Sequence, residues 1–527
     1  MIDSGDPGRR GTAARAGTIG HGRCPVIALD RSLDPNILAW PEVLRAAERH
    51  ALAGGPLSQV GDDSRTVRPG AIFVAHGGPQ TDGHGFIPEA LAAGAALVVA
   101  ERPVEASVPV CLVPDGRRAL SALAAAWFGY PARRLRMVGI TGTNGKTTTV
   151  QLAAAVLEAA GLHPSVVGTL GFQHRRDRPA EHLPWTTPPP VELHAWLAQE
   201  ADAGTDACVV EVSAQGISQS RVANCAFDVA AITNLARDHR EYYASEEEYA
   251  EAKAGLFRQL RAVDKPARAV LNRDLPHLRL FRTACAVPIV EYGDGAQVRA
   301  LSIRSHGLGG TDLLLGLPER PEGIPVRLRL AGRHNVDNSL CAAAIGSAMG
   351  LAPEAIAAGL EAVRRVPGRL QPVGNGDVRV LVDYAHNPAG LRVLLRLLRT
   401  STAGKLVVVM GARGQRDRGK RFTMGCIVAA FADRVVLTSD RPSGEDPQAA
   451  AEPMRLAVAD CGVPVSFVAD RLQAMALALE GCRAGDCVVA VGKGEEPWEG
   501  DSARDGLSDV TALEALQAEH DWARTRP

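Results

Sequence analysis

No stretch of this 527-residue sequence approaches about 18 consecutive apolar residues, so a membrane-spanning helix is not expected. It also lacks an excess of charge of either sign. Lys plus Arg number 58 against 59 Asp plus Glu, a formal net charge of -1, which removes the electrostatic footprint of a nucleic-acid or anionic-membrane binder. None of its ten cysteines belongs to a CxxC pair, and a disulfide framework would suit a short secreted chain instead. Most of these thiols are expected as small buried hydrophobes, in a cytoplasmic protein. The first 24 residues lack the apolar core of a secretory signal and read as a disordered extension.

What is present is ordinary for a globular protein: 46% hydrophobic and 22% charged residues, which excludes wholesale disorder. At roughly 100–200 residues per domain, about three domains are expected. Short β-branched runs (ALVVA, RMVGI, ACVVEVS, VAAITNL, ARAVLN, RVLVDY, KLVVVMG, RVVLTS, DCVVAVG) alternate with Ala- and Leu-rich stretches of helical spacing. Continuous apolar runs separated by helices indicate parallel strands buried on both faces, so the fold class is α/β. Breaks near Pro131–Arg136 and Val366–Gly368 divide the chain into the extension 1–24 and domains at 25–132, 133–366 and 367–527. Gly, Pro and short alternating strands over 290–330 predict a β-excursion inside the middle domain.

The most informative segment is RMVGITGTNGKTTTV, Arg136 to Val150. A strand is expected to end at Ile140, a turn with Gly142 and Gly145 to follow, and a helix to open at Lys146-Thr147. Glycines let backbone N–H groups close round an anion, and a helix start adds unpaired N–H groups and a positive dipole end. Lys146 would bind outer phosphates and Thr147 would place its hydroxyl on Mg²⁺. The plain alternative is a glycine turn capping an ordinary helix. The strict G-x-x-x-x-G-K-[ST] spacing fails, because Ile140 stands where its first glycine belongs.

The string GITGTNGKTTT resembles the ATP loop of the Mur ligase family, and the resemblance continues along nearly the whole chain from about residue 55. Such enzymes join an amino acid to a carboxylate with ATP. The resemblance implies a central phosphate-loop ATPase domain, a C-terminal Rossmann-like domain and an N-terminal α/β domain for a uridine nucleotide sugar. It gives Gly142, Thr143, Asn144, Gly145, Lys146, Thr147 and Thr148 to ATP. Glu211, ending the strand CVVEVS, and His239, in ITNLARDHREYY, match its metal positions. Lys253, in the helical EEYAEAKAGLF, matches a lysine that many Mur ligases carbamylate to hold a second Mg²⁺; read alone it is a solvated helix lysine. AGRHNVDNS places Asn335 and Asn338 near the adenine, and PGRL places Arg369 against ATP. VDYAHNPAGL resembles the D-Y-A-H-x-P motif, so that Asp383 and His386 would face the nucleotide.

DSRTVRPGAIFVAHGG resembles the N-terminal domain of the MurE type, which extends UDP-N-acetylmuramoyl-L-alanyl-D-glutamate, and puts Ser64 and Arg65 on its D-S-R segment. Thr186, Thr187, Ser213, Gln219 and Arg221 fall at that type's substrate contacts. Hydroxyls, an amide and a guanidinium suit an acidic, hydroxyl-rich substrate. Departures accompany the likeness. The usual E-V-S-S-H has Ala214 and Gln215 in its last two places. The D-N-P-R of diaminopimelate-adding enzymes reads Asp440-Arg441-Pro442-Ser443. GKGHE becomes GKGEE, keeping Glu496. Diaminopimelate is therefore unsupported, while Asp440, Arg441 and Glu496 remain the matching amino-acid positions. VDYAHNPAGL with Asn387 also resembles the ligase half of cyanophycin synthetases. The expected activity is muramoyl-peptide extension by a monomer acting on small molecules. A divergent ligase on another carboxylate outside cell-wall synthesis is the alternative, and a nucleotide-binding module without turnover a further one.

Overall fold

The structure is a computed structural model and describes residues 57–78, 81–174, 183–260, 265–498 and 506–524. The expected extension over 1–24, with Cys24, lies outside them. The chain separates into two units, Met1–Gly129 and Tyr130–Pro527.

In the first unit β1 (Gln59–Gly61), β2 (Ala71–Ala75), β3 (Leu97–Ala100) and β4 (Val110–Leu112) form a parallel sheet in sequence order. Every residue of β2 and β3 is buried. Helices α1 (Ile87–Ala92) and α2 (Gly116–Trp127) belong to this unit. α2 starts where the Asp115 side chain accepts from the Arg118 N–H at 3.0 Å, satisfying a donor that the first turn leaves orphaned.

The second unit carries a seven-stranded sheet ordered β11-β10-β9-β5-β8-β6-β7. Its strands are β5 (Arg136–Thr141), β6 (Pro164–Gly168), β7 (Gly171–Gln173), β8 (Ala207–Glu211), β9 (Val229–Ile232), β10 (Arg268–Asn272) and β11 (Ile289–Tyr292). All pairings are parallel except β6–β7. Apolar side chains on both faces explain this: Val138 and Ile140 join one buried cluster, Met137 and Val210 another. The helices of this part are α3 (Lys146–Ala159), α4 (Pro190–Asp202), α5 (Ala214–Ser218), α6 (Glu246–Arg258), α7 (Leu278–Ala284), α8 (Arg333–Ala348) and α9 (Pro353–Ala362). The β-excursion is an antiparallel sheet of β12 (Arg299–Ser305), β13 (Thr311–Leu317) and β14 (Arg320–Leu328).

A six-stranded sheet follows, ordered β15-β16-β20-β17-β18-β19. It comprises β15 (Gln371–Val373), β16 (Arg379–Asp383), β17 (Leu406–Ala412), β18 (Arg434–Ser439), β19 (Val465–Phe467) and β20 (Cys487–Val491). Only the β15 edge pairs antiparallel. α10 (Pro388–Ser401), α11 (Gly419–Ala429), α12 (Pro447–Asp460), α13 (Arg471–Leu479) and α14 (Asp509–Arg524) complete it. Among the described residues no helix is long and apolar enough to cross a membrane. Six cysteines are buried, Cys285 and Cys426 are half-buried, and Cys461 is exposed.

Candidate active site

Strand order builds the site. β5 lies between β8 and β9, with Ile140 opposite Glu211 and Thr141 opposite Ile232. The loop leaving β5 therefore emerges between the ends of two neighbours, where open α/β sheets bind ligands. The strand runs one residue past Ile140, to Thr141, and α3 opens at Lys146. The glycines are there for close approach. A Cβ on Gly142 would come within 1.9 Å of Thr233 Oγ1, and one on Gly145 within 2.2 Å of Asn338 Oδ1; both have positive φ.

The loop is held from the β9 side. Thr143 N–H donates to Asn234 O at 2.9 Å, and Asn144 N–H to Asn234 Oδ1 at 3.0 Å. Thr233 Oγ1 and Asn234 Nδ2 both donate to Asn144 O, at 2.7 and 2.9 Å. Lys146 folds back, its Nζ donating to Gly142 O and Thr143 O at 3.2 and 3.0 Å. Burial lowers its affinity for a proton, against the pull of Glu211.

Glu211 is 2% exposed at the end of β8, not a solvated surface glutamate. It accepts from Thr147 Oγ1 at 3.1–3.2 Å, from Thr169 N at 3.0 Å and from Thr169 Oγ1 at 3.2 Å. Arg369 Nη2 donates to Thr147 Oγ1 at 2.9 Å, tying the second sheet's entry segment to the phosphate loop. Among the described residues no group of three or more His, Cys, Asp or Glu converges as a metal cage. Mg²⁺ keeps several waters and takes few protein oxygens, so the Thr147 hydroxyl beside the Glu211 carboxylate is a donor pair that fits it.

Lys253 is buried at 1% exposure, against the solvated helix lysine that its sequence context suggests. Ser245 caps α6 and Glu246, Glu247 and Glu248 occupy the first turn, which suits the helix dipole. Lys253 shares the buried face of α6 with Tyr249, Ala250, Ala254 and Phe257. Its Nζ donates to Gly142 O at 2.8 Å, the carbonyl that also receives Lys146, and lies 4.4 Å from the Tyr249 ring centroid. Burial, then the Lys146 charge, hold its pKa well below the usual lysine range.

Most of the residues expected at the site line one cavity of about 570 Å³. On its nucleotide-loop side are Thr143, Asn144, Gly145, Lys146, Thr147, Thr148, Glu211, His239, Asn335 and Asn338. From the second sheet come Arg369, Asp383, His386, Asp440, Arg441 and Glu496. Thr186, Thr187, Ser213 and Arg221 line it too; Thr186 Oγ1 pairs with Thr169 Oγ1 at 3.2 Å, and the other three are bonded together. Thr187 Oγ1 donates to Glu211 O at 2.9 Å, Ser213 N–H donates to Thr187 Oγ1 at 2.9 Å, and Arg221 Nη1 to Thr187 O at 2.6 Å. Gln219 stands behind the wall, holding Arg221 Nε at 3.0 Å. Gly142 and Lys253 also lie behind the lining, under the loop. Ser64 and Arg65 belong to the first unit, where Ser64 Oγ donates to Glu89 at 3.0 Å and Arg65 pairs with Asp63.

The loops after β16, β17, β18 and β20 supply the opposite wall. Asp383 accepts from Leu370 N–H and Ala385 N–H at 2.7 and 2.8 Å. Burial nonetheless raises its pKa, against Arg369. His386 is pushed down to about 3 by burial and then by Lys420, so the ring is neutral at pH 7. Its Nδ1 bonds Tyr384 O at 3.0 Å. Four residues not expected at the site help to close it: Asp238, Tyr384 and Asn387 lie inside motifs quoted above, and Lys420 lies outside them. Asn387 donates to Asn144 Oδ1 at 2.9 Å and Asp238 Oδ2 at 3.0 Å, and Lys420 Nζ donates to Asp238 Oδ1 at 3.1 Å. Asp238 is buried, yet Lys420, His386 and His239 overcome that burial and keep its carboxyl far below the usual range. Arg369 lies 3.9 Å from the Tyr384 ring centroid. Position was the available signal for three of them: Tyr384 follows the end of β16, Asp238 precedes His239 and Asn387 follows His386, whereas nothing comparable marks Lys420.

A strand–loop–helix phosphate cradle between parallel-strand ends, facing a second parallel sheet, is the design of an α/β nucleotide-binding fold. Comparison with known proteins narrows the class. The chain matches the Mur ligase family catalytic domain over residues 56–128, the Mur ligase middle domain over 140–346, and the Mur ligase glutamate ligase domain over 368–494. It is 39% identical over 445 residues to the UDP-N-acetylmuramoyl-L-alanyl-D-glutamate–2,6-diaminopimelate ligase of Geobacillus kaustophilus (strain HTA426), covering 83% of this chain and 90% of that one. It is 37% identical to the UDP-N-acetylmuramyl-tripeptide synthetase of Roseiflexus sp. (strain RS-1), covering 85% and 94%. A solved UDP-N-acetylmuramoyl-L-alanyl-D-glutamate–2,6-diaminopimelate ligase matches with TM-score 0.60 and 30% identity, over 88% of this chain and 96% of that one. The chain belongs to the Mur ligase family.

Proposed function

We propose that this chain is an ATP-dependent, ADP-forming ligase that adds an amino acid to UDP-N-acetylmuramoyl-L-alanyl-D-glutamate during peptidoglycan precursor synthesis. The observation that carries the proposal is the junction at Thr147: phosphate-loop helix, Glu211 and Arg369 meet at one hydroxyl, on the wall of a cavity closed by the second sheet. The names of the relatives supply the acceptor class.

A carboxylate oxygen is a poor leaving group, so the acid must first be activated. Transfer of the ATP γ-phosphoryl group to the carboxylate gives an acyl phosphate; the amine attacks its carbonyl, and the tetrahedral intermediate collapses with loss of phosphate. The anions involved repel one another. Lys146, turning from the loop carbonyls to the phosphates, and Arg369 neutralise them. Thr147 and Glu211, with His239 on the same wall, would hold Mg²⁺, which would supply Lewis-acid neutralisation there. Thr186, Thr187, Ser213 and Arg221 orient the acceptor, and Asn335 and Asn338 face the nucleotide base. Lys253, buried against Gly142 O with its affinity for a proton lowered, is the amine that would take up CO₂ as a carbamate. The neutral His386 and the buried Asp383 position the cleft around the nucleotide and exclude water.

Phosphate release from ATP tests the reading. Release that requires both the muramoyl dipeptide and an amino acid supports a ligase; ATP binding with no turnover under any pairing refutes it. Lys253→Ala should lose most activity and recover with a small added carboxylate. No defect there would remove Lys253 from the mechanism.

A further inference from the structure

Four strand-end loops of the six-stranded sheet converge on Tyr384, Arg413, Asp440 and Glu496. The two carboxylates there are already neutralised from within the chain. Arg413 Nη2 donates to Glu496, and Arg413 Nε lies 3.7 Å from Asp440 Oδ2. The Tyr384 hydroxyl donates to the other Glu496 oxygen, and Lys493 Nζ lies 3.6 Å from Asp440 Oδ1. The side chains of Asp440 and Glu496 are 2% and 14% exposed, and that of Arg413 20%.

The backbone that carries this arginine is anchored. Its carbonyl accepts from Arg421 Nη2 at 3.1 Å, and Arg421 is itself gripped by both oxygens of Glu445 at 2.8 and 2.9 Å. Next to it, a Cβ on Gly414 would approach Pro442 O to 1.7 Å, so the loop is wedged against the segment after β18. The guanidinium also lies 5.5 Å from the Tyr384 ring centroid.

We propose that Arg413 stands where the side-chain ammonium of an incoming amino acid would otherwise bind, so that the substrate amino acid carries no ammonium on its side chain. A second cation brought to Glu496 or Asp440 would meet the Arg413 guanidinium, which already pairs with both carboxylates, and at Asp440 the Lys493 ammonium as well. Lysine and 2,6-diaminopimelate are excluded on this ground, and neutral or acidic side chains are admitted. The inference rests on the ligase reading above and on placing the amino acid beside Asp440 and Glu496.

The test is kcat/KM for a panel of amino acids with UDP-N-acetylmuramoyl-L-alanyl-D-glutamate and ATP, using the full chain. Wild type should prefer the best neutral or acidic amino acid over lysine and 2,6-diaminopimelate by about 100-fold, the scale of a like-charge clash. Arg413→Gln should cut that ratio by about tenfold or more, whereas Arg413→Lys, which keeps the charge, should preserve it. Because the ratio is read within one variant, a general loss of folded protein leaves it unmoved. Glu496→Gln, which strips Arg413 of its partner, should shift preference toward acidic side chains. Efficient coupling of lysine or 2,6-diaminopimelate by wild type, or an unchanged ratio in Arg413→Gln, overturns this inference alone. Turnover with no amino acid overturns it together with the ligase reading.

Discussion

Lys146 in this conformation uses its ammonium on two carbonyls of its own loop, so no distant packing depends on it. Lys146→Ala should therefore abolish phosphate release while leaving the far-ultraviolet circular dichroism spectrum unchanged; near-wild-type release would refute the loop assignment. His194 has the opposite character. It is fully buried on α4 at 0% exposure, and among the described residues neither ring nitrogen has a hydrogen-bond partner. Burial pushes it down to about 4 from an ordinary 6.5. As pH falls through 6.5 the unfolded chain binds a proton there while the folded chain does not until about 4, so stability is lost across that window. His194→Leu should thus show a smaller fall in Tm between neutral and mildly acid pH than wild type. The sequence offers no sign of this burial, because a histidine among Glu192, Trp196 and Gln199 reads equally as either face of a helix.

At the scale of elements, the parallel strands were legible because double-sided burial leaves continuous apolar runs, as in β8 and β20. The antiparallel edges β7 and β15 were not, since three residues with mixed exposure carry no period. The phosphate loop was legible from glycine placement, but which side chains close upon it was not: Lys253 turns inward through the register of α6, which its charge disguises. α10 begins with a comparable join. Asn387 caps it, its Oδ1 accepting from Gly390 N–H at 2.9 Å, while the amide hydrogens reach Asn144 and Asp238. Asn387→Ala removes a cap worth about 1 kcal/mol along with both reaching bonds. Urea denaturation should report a loss of about that size or more, and KM for ATP should rise; an unaltered KM would separate the cap from the site.

For the second unit as a whole, the nucleotide cavity draws on both of its large sheets, so ligand binding should be felt as stability. ATP with Mg²⁺ at about 100 times its Kd should add about 2.7 kcal/mol, visible as a raised Tm, and Lys146→Ala should erase the rise. Sheet order has a consequence for biosynthesis as well. β20, contributed by residues 487–491, sits between β16 and β17, which end at residues 383 and 412 and so leave the ribosome well before it. Until that last strand emerges, its two neighbours present facing rows of unpaired amides and carbonyls with nothing between them. A message truncated before codon 487 would thus yield a chain missing its keystone and prone to aggregate.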